Sequence, residues 1–231
     1  MKEIDLIDKI VFFTLNGSDS LFLDGIAMSA TNALTWIPFY LALFYLVIKN
    51  NENATQILLI VGCALLSVII ADGGADWVSK PFFSRLRPSQ APDIKYMVDI
   101  VQNHRGDTYG FFSAHAANTC AIATFFILLV RSRLLTATLI FWTLLNCWTR
   151  IYLGLHYPSD ILAGLLWGIF AGVVAYLFFR KIYFKISPQY NYISTQYTST
   201  GYGLNDIDVV LLTCAATFVY IVFSAIFFTI Q

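Results

Sequence analysis

Long apolar stretches separated by short polar segments dominate the chain. A helix needs about 20 mostly apolar residues to cross the hydrocarbon core of a bilayer, and six stretches reach or approach that length. They run over about residues 32–48, 56–71, 114–130, 134–151, 157–179 and 209–230. No alternating strand pattern of any length occurs. The pattern therefore predicts an all-α integral membrane protein that forms a six-transmembrane-helix bundle.

Two further segments complete this organisation. Between residues 4 and 15, apolar side chains recur at helical spacing with charged residues between them, which predicts an N-terminal amphipathic helix. This helix would lie in the bilayer interface or pack as a cap on the bundle. Residues 187–208 are rich in Tyr, Ser, Thr and Asn and predict a polar connector before the final helix at 209–230. We expect residues 1–231 to form a single membrane-embedded domain.

Composition supports the membrane interpretation. Hydrophobic residues make up 58% of the chain and charged residues 12%, against about 25% charge in ordinary soluble domains. This excludes a disordered protein, a protein that binds nucleic acid through a basic surface, and most soluble enzymes. The four cysteines lie in apolar runs without a Cys-x-x-Cys pair, so we interpret them as packing residues.

Charged and polar residues cluster at the ends of predicted helices, where they are costly in a membrane and indicate function. The clusters are Lys80 with Arg87-Pro88, Ser113-Ala114-His115, and Arg150 with His156 and Asp160. Counting the crossings places all three clusters on the same side of the membrane. We therefore expect them to converge in one pocket.

The cationic members of these clusters favour an anion carried by a lipid. Lys80, Arg87 and Arg150 concentrate positive charge at an apolar surface, and guanidinium groups bind phosphate oxygens in pairs. Ser113 adds a hydroxyl donor. Ala114 lies at a predicted helix start, where backbone N–H groups and the helix dipole favour an anion.

The histidines and the carboxylate supply groups for phosphoryl transfer. Asp160, four residues after His156, can hold one ring nitrogen and raise the basicity of the other. A neutral imidazole in a fixed position is a competent nucleophile toward phosphorus. His115, on another helix, could protonate the leaving oxygen as a general acid.

In order and spacing, these residues resemble the signature of the type 2 phosphatidic acid phosphatases, over about residues 25–180. The motifs are Lys80-x6-Arg87-Pro88, Ser113-x-His115 and Arg150-x5-His156-x3-Asp160. The superfamily also contains the vanadium haloperoxidases, which are soluble and so conflict with this composition. The second family motif usually reads Pro-Ser-Gly-His, whereas Phe112 and Ala114 replace its Pro and Gly here. Thr149 occupies the position before Arg150 at which the third family motif commonly has Ser.

The resemblance implies a role for each matching residue. His156 would form a phosphohistidine, Asp160 would orient it, and His115 would protonate the leaving group and later activate water. Phosphate would be bound by Lys80, Arg87, Ser113, Arg150 and the backbone N–H of Ala114. The family needs no metal, and we expect no metal or other cofactor. We assign no chemistry to Asp72, Asp76 or Arg85, and we expect His104 and Arg105 to lie on the surface.

The predicted activity is hydrolysis of a phosphomonoester or diphosphate on a membrane lipid, with no nucleic-acid partner. Undecaprenyl diphosphate and a lipid A phosphate are the two leading substrates, and phosphatidylglycerophosphate or phosphatidate is the alternative. A membrane transporter is the alternative of another class. Against it, the charges lie at helix ends and no pair of broken helices is visible.

The orientation in the membrane follows from the short loops. Arg131 and Arg133 flank one tight turn, and Arg180 and Lys181 end another helix, as is typical of cytoplasmic loops. The raw total of Lys and Arg favours the opposite orientation, but it includes the residues assigned to phosphate. We expect a multi-pass protein of the inner membrane with its active site facing the periplasm.

Overall fold

Helices form almost all of the regular structure in the computed structural model, which describes residues 2–186 and 194–230. The α-helices are α1 (Lys2–Leu15), α2 (Leu21–Thr31), α3 (Ile37–Lys49), α4 (Ala54–Gly73), α5 (Lys80–Phe83), α6 (Ala114–Val130), α7 (Arg133–Tyr152), α8 (Pro158–Ile186) and α9 (Leu204–Ile230). A π-helical segment, Gly74–Ser79, joins α4 to α5, and short 3₁₀ turns lie at Ala33–Trp36, Pro88–Gln90 and Val101–Asn103. Within the described ranges there are isolated β-bridges but no strand.

The all-α membrane fold is confirmed with four or five candidate spans, fewer than the six predicted. The four long apolar helices are α4 continued through α5, then α7, α8 and α9. The helices α2 and α3 are bent by 68° at the turn between them and together make a fifth candidate. Helix α6 has only 17 residues. At about 1.5 Å per residue it is shorter than the hydrocarbon core of a typical bilayer, which is about 30 Å thick.

The predicted span over residues 32–48 corresponds to the 3₁₀ turn and α3, residues 33–49, and the structure adds α2 before it, across a sharp break. Asn32 has extended backbone, and its Oδ1 accepts a hydrogen bond from the Leu34 backbone N–H at 3.0 Å. The Trp36 indole donates to the Ala30 carbonyl at 2.8 Å and holds the corner closed. An Asn side chain that competes for backbone N–H groups starts a new turn and ends the helix before it.

The final helix begins at Leu204, before the predicted residue 209. Asp206 lies in its first turn, where the helix dipole favours a carboxylate, and accepts a hydrogen bond from Asn50 Nδ2 at 3.1 Å. Residues 204–208 of the predicted connector are therefore helical. Residues 187–193 of that connector lie outside the described part of the chain.

Close contact between α6 and α8 fixes the centre of the bundle. A Cβ atom added to Gly164 would lie 2.7 Å from the Ser113 carbonyl oxygen, and one at Gly168 would lie 2.5 Å from that of Ala117. At Gly172 the corresponding distance to the Ala121 carbonyl is 2.7 Å. The contacts advance along both helices together, so α6 and α8 run parallel and their N-termini meet at the same end.

The bundle buries a cluster of aromatic side chains and exposes many large apolar side chains on its outer surface. Trp36, Phe39, Phe125 and Trp142 are almost completely buried in one cluster. Large aliphatic side chains such as Leu58, Leu166 and Leu212, each 70% exposed, point outward from the long helices. All four cysteines are buried and free. An apolar exterior on long helices is the arrangement that a bilayer stabilises.

Helix α1 lies across the end of the bundle that carries the N-termini of α6 and α8. Phe12 is completely buried, and its ring packs against that of Tyr157 at 5.7 Å between centroids. Leu6, Ile7 and Ile10 are exposed on the other side of the helix. The side chains of residues 2–4 are outside the described set.

The glycine contact predicts a position-dependent response to substitution. Gly168→Leu would force a side chain into the α6 backbone and should destabilise the fold by roughly 1–3 kcal/mol or more. Gly62→Leu is the matched control, because no atom of residues 2–186 or 194–230 lies within 4 Å of a Cβ at that position. The melting temperature and the monodisperse yield in detergent measure the difference. Equal behaviour of the two variants would contradict the packing described here.

Candidate functional site

The three predicted clusters meet at the end of the bundle where α6 and α8 begin. The Ser113 backbone N–H donates to the Asp160 carbonyl at 3.1 Å, which joins the second cluster to the third. Arg87 Nη1 lies 3.0 Å from His156 Nε2, which joins the first to the third. The backbone N–H groups of Leu155 and His156 donate to the Arg150 carbonyl at 3.0 and 3.2 Å and fold the third cluster on itself.

A short extended segment after α5 carries Arg87 into the site. The Arg87 backbone N–H donates to the Thr108 carbonyl at 3.1 Å, and Leu86 forms an antiparallel bridge with Tyr109. Gly106 lies against the guanidinium, since a Cβ there would be 2.7 Å from Arg87 Cζ. The guanidinium also donates to the Leu155 carbonyl at 3.1 Å. Backbone pairing therefore fixes the arginine before any ligand binds.

The contact between Arg87 and His156 determines which ring nitrogen carries the proton. An arginine in a protein stays protonated and can only donate, so His156 Nε2 must be the unprotonated ring nitrogen and accept through its lone pair. The proton then lies on Nδ1, which faces Asp160 Oδ2 at 3.7 Å, longer than a hydrogen bond. Asp160 Oδ2 accepts from the Tyr157 backbone N–H at 3.0 Å.

Burial keeps the imidazole of His156 uncharged. Loss of solvent lowers the pKa of His156 well below its ordinary value of 6.5, and the charges of Arg87, Arg150 and Lys80 lower it further. The ring is therefore neutral at pH 7, with Nε2 available as a nucleophile.

Two buried guanidinium groups lack a carboxylate partner. Arg87 is 5% exposed and Arg150 is 8% exposed, and neither forms an ion pair within the described residues. Arg150 Nη1 donates to the Thr31 hydroxyl at 2.6 Å, while the Nε of each arginine has no hydrogen-bond partner in the described part of the chain. Burying a cation in this way is costly unless an anion compensates it. The pair of arginines therefore favours a bound anion between them.

The start of α6 provides the second wall of the site. Ser113 is fully buried and caps the helix, with its hydroxyl accepting from the Ala116 backbone N–H at 3.4 Å. Ala114 is the first helical residue and does not have the positive φ angle that would require glycine. His115 follows it, half-buried and close to the Thr31 backbone. The backbone N–H groups of this first turn point toward the end of the helix, as an anion site requires.

Lys80 lies at the rim of this arrangement. It begins α5 and forms an ion pair with Asp76, and its side chain is 17% exposed. Its charge still acts on His156. Asp76, which was given no chemistry from the sequence, is thus the partner of Lys80, and Asp72 accepts from Asn118 Nδ2 at 2.8 Å.

Sequence reasoning missed Arg85 and Asp8. Arg85 Nη1 donates to Asp160 Oδ1 at 2.7 Å, and Nη2 donates to Asp8 Oδ2 at 2.6 Å. The available signal was the spacing Arg85-x-Arg87, because alternate residues of an extended segment share a side. His104 also differs from its predicted surface position: it is half-buried, and burial with the charges of Arg150 and Arg87 lowers its pKa.

An apolar groove with a cavity volume of about 260 Å³ adjoins the site. Its walls include Val78, Phe82, Phe83, Phe111 and Trp167. It touches the site through Ser79, whose hydroxyl accepts from the Phe112 backbone N–H at 3.2 Å. No group of three or more His, Cys, Asp or Glu side chains that could hold a metal ion occurs among the residues that the structure describes.

The unpaired arginines predict that phosphate stabilises the folded protein. Inorganic phosphate at ten times its dissociation constant should add about 1.4 kcal/mol and raise the melting temperature of the detergent-solubilised protein. Arg150→Met should abolish this response. Arg133→Met, an exposed position at the opposite end of the same helix, should retain it. An identical phosphate response in both variants would contradict an anion site at Arg150.

Known proteins place these features in a family. The sequence model of the PAP2 superfamily matches residues 57–184. A lipid A 4'-phosphatase of Bacteroides thetaiotaomicron is 33% identical over 219 residues, covering 93% of this chain and 95% of the relative. A lipid A 4'-phosphatase of Porphyromonas gingivalis is 36% identical over 177 residues, covering 76% and 74%. A lipid A 1-phosphatase of Rhizobium johnstonii is 26% identical over 149 residues, covering 62% and 60%.

No solved structure matches the chain at a significant level. The matched region contains all three clusters, and the relatives from Bacteroides and Porphyromonas extend the similarity over most of the chain. The chain therefore belongs to the PAP2 superfamily and is a bacterial membrane lipid phosphatase.

Proposed function

We propose that the protein removes a phosphate group from lipid A through a phosphohistidine intermediate at His156. One observation carries the proposal: Arg87 and Arg150 are buried without a carboxylate partner among the described residues, beside a neutral imidazole whose Nε2 is unprotonated. This arrangement suits a phosphate ester, because the cations compensate its charge and the imidazole attacks it. Lipid A is favoured over other lipids by the activity named for the relatives.

The first chemical step transfers the phosphoryl group to the enzyme. His156 Nε2 attacks phosphorus, a P–N bond forms, and the P–O bond to the lipid breaks. The phosphate takes over the Arg87 guanidinium, which otherwise donates to the attacking nitrogen. His115 gives its proton to the leaving oxygen, while Asp160 stabilises the positive charge that develops on the ring of His156.

The second step returns the enzyme to its starting state. His115, now unprotonated, removes a proton from water, and the resulting hydroxide attacks the phosphohistidine. The P–N bond breaks and inorganic phosphate leaves. In both steps, Lys80, Arg87, Arg150, Ser113 and the Ala114 N–H stabilise the charge on the three phosphoryl oxygens.

The lipid is bound at the level of its headgroup. The apolar groove beside Ser79 and Phe112 takes the start of one hydrocarbon chain, since its aromatic walls adjoin the phosphate site. Undecaprenyl diphosphate carries an anion of the same kind at the same depth and remains the second candidate substrate. A phosphatidyl-type phosphate is the third.

The membrane placement follows the same logic. We place α1 in the bilayer interface, with Leu6, Ile7 and Ile10 toward the lipid. Counting the α2–α3 pair and the short α6 as crossings gives six spans. Arg131 and Arg133, at the opposite end of the bundle, lie on the cytoplasmic side of the inner membrane. The site then faces the periplasm.

A phosphate-release assay tests the activity. The purified protein should release phosphate from lipid A faster than from undecaprenyl diphosphate or phosphatidate. His115→Ala should lower the rate roughly 10²–10⁴-fold, as loss of a general acid does, and His156→Ala should abolish release. Both variants should keep the melting temperature of the wild type within a few degrees. Equal release by His156→Ala, or no release from any lipid by the wild type, would refute the proposal.

The low pKa of His156 predicts a pH effect for Lys80→Gln. Protonation blocks the nucleophile, so activity falls on the acid side as His156 becomes charged. Removing the Lys80 cation raises the pKa of His156, and the acid limb of kcat/KM should therefore move to higher pH. The ionisation of the substrate is the same for both enzymes and cancels in the comparison. A shift to lower pH, or none, would contradict this electrostatic role.

Labelling of single cysteines tests the orientation. A cysteine at Gln102, an exposed residue on the site's side, should react with an impermeant reagent in intact cells whose outer membrane has been opened. A cysteine at Arg133 should react only after the inner membrane is also opened. The reverse pattern would place the active site in the cytoplasm.

A further inference from the structure

Helix α1 carries a buried carboxylate that the mechanism above does not use. Asp8 is 4% exposed, although several of its neighbours on α1 are exposed. Its oxygens accept from the Ser159 backbone N–H at 2.9 Å, from the Ser159 hydroxyl at 2.5 Å and from Arg85 Nη2 at 2.6 Å. Both carboxylate oxygens are thus bound by groups that adjoin the active site.

Arg85 links this carboxylate to Asp160. Its Nη1 donates to Asp160 Oδ1 at 2.7 Å and to the Ser159 hydroxyl at 2.6 Å, while Nη2 is turned toward Asp8. The guanidinium stacks over the Tyr157 ring, 4.3 Å from its centroid. The Arg85 guanidinium therefore binds both buried carboxylates while it stacks on the Tyr157 ring.

This division of the guanidinium leaves one oxygen of Asp160 for His156. A lone arginine beside a carboxylate favours a bidentate pair that takes both oxygens. Because Asp8 holds Nη2, only Nη1 reaches Asp160, and it binds Oδ1. Oδ2 remains directed at the Tyr157 N–H and at His156 Nδ1.

We propose that Asp8 is a positioning residue for the nucleophile, acting through Arg85 and Asp160 on His156. The inference rests on the proposed function of the same site. It makes α1 part of the active-site assembly, since His156 is oriented for attack only when α1 is docked with Asp8 against Arg85 and Ser159.

The docking of α1 has other supports, which allows the charge of Asp8 to be tested by itself. Phe12 is fully buried, Asn16 Nδ2 donates to the Tyr152 carbonyl at 2.9 Å, and Lys9 pairs with Asp93 at 2.7 Å. Asp93→Asn is the matched control, because it removes a carboxylate that binds α1 but has no contact with Arg85 or Asp160 among the described residues.

Asp8→Asn keeps the size of the side chain and removes its charge. We expect kcat for phosphate release to fall roughly 10–100-fold, as is typical when an outer residue that orients a functional group is lost. KM and the inhibition constant of inorganic phosphate should stay within about twofold, because none of the phosphate-binding residues contacts Asp8. Asp93→Asn should leave kcat, KM and phosphate inhibition unchanged.

A double-mutant cycle distinguishes positioning through Arg85 from an independent effect. If Asp8 acts only through Arg85, the Asp8→Asn/Arg85→Gln variant should lose no more activity than Arg85→Gln alone. Multiplied losses in the double variant would overturn the proposed route.

The outcomes separate this inference from the proposed function. No phosphate release by the wild type from any lipid refutes the proposed function. A wild-type enzyme that is active, with Asp8→Asn equally active, refutes the role of Asp8 alone. A loss of kcat in Asp8→Asn that is matched by weaker phosphate inhibition and a lower melting temperature shows a general structural defect and overturns positioning. A fall in kcat alone supports it.

Discussion

The burial of two unpaired guanidinium groups beside an uncharged imidazole is the constraint around which the rest of the structure is arranged. Arg87 comes from an extended segment and Arg150 from the last turn of α7, and the charges of both act on His156. Each is held by carbonyl or hydroxyl groups, which orient a cation without neutralising it. If carboxylates held the arginines instead, they would occupy the position that a phosphate ester needs. The protein without ligand therefore keeps two buried cations uncompensated, at an electrostatic cost.

Such a pocket requires a rigid frame, and the parallel pair α6 and α8 supplies it. Their backbones touch through Gly164, Gly168 and Gly172, so neither helix can slide without a clash. Both N-termini therefore stay at the level of the pocket, where their dipoles favour an anion.

Much of this could be predicted from the sequence because the relevant signals are local. Apolar stretches of membrane length indicate an all-α bundle, and the motif spacing placed Lys80, Ser113 and Asp160 on one side. The predicted span begins at Asn32, but helix α2 before it was missed, because its 11 residues are too few for a crossing until the corner between Trp36 and Ala30 joins it to α3. The start of α9 was missed because Asp206 resembles a connector residue until its partner Asn50 is known. Arg85 and Asp8 lie 77 residues apart in the chain, and no pattern of spacing connects them.

The direct backbone contact between α6 and α8 has a consequence for how lipid preference can diverge. It fixes the separation between the helix that bears His115 and the helix that bears Asp160. The segment from Pro88 to Phe111 crosses over the pocket outside that frame, with its ends tied down by the pairing of Arg87 with Thr108 and of Arg85 with Gly110. Under the proposed function, this segment is the part of the site's surroundings that could change to fit headgroups of different size without moving α6 or α8.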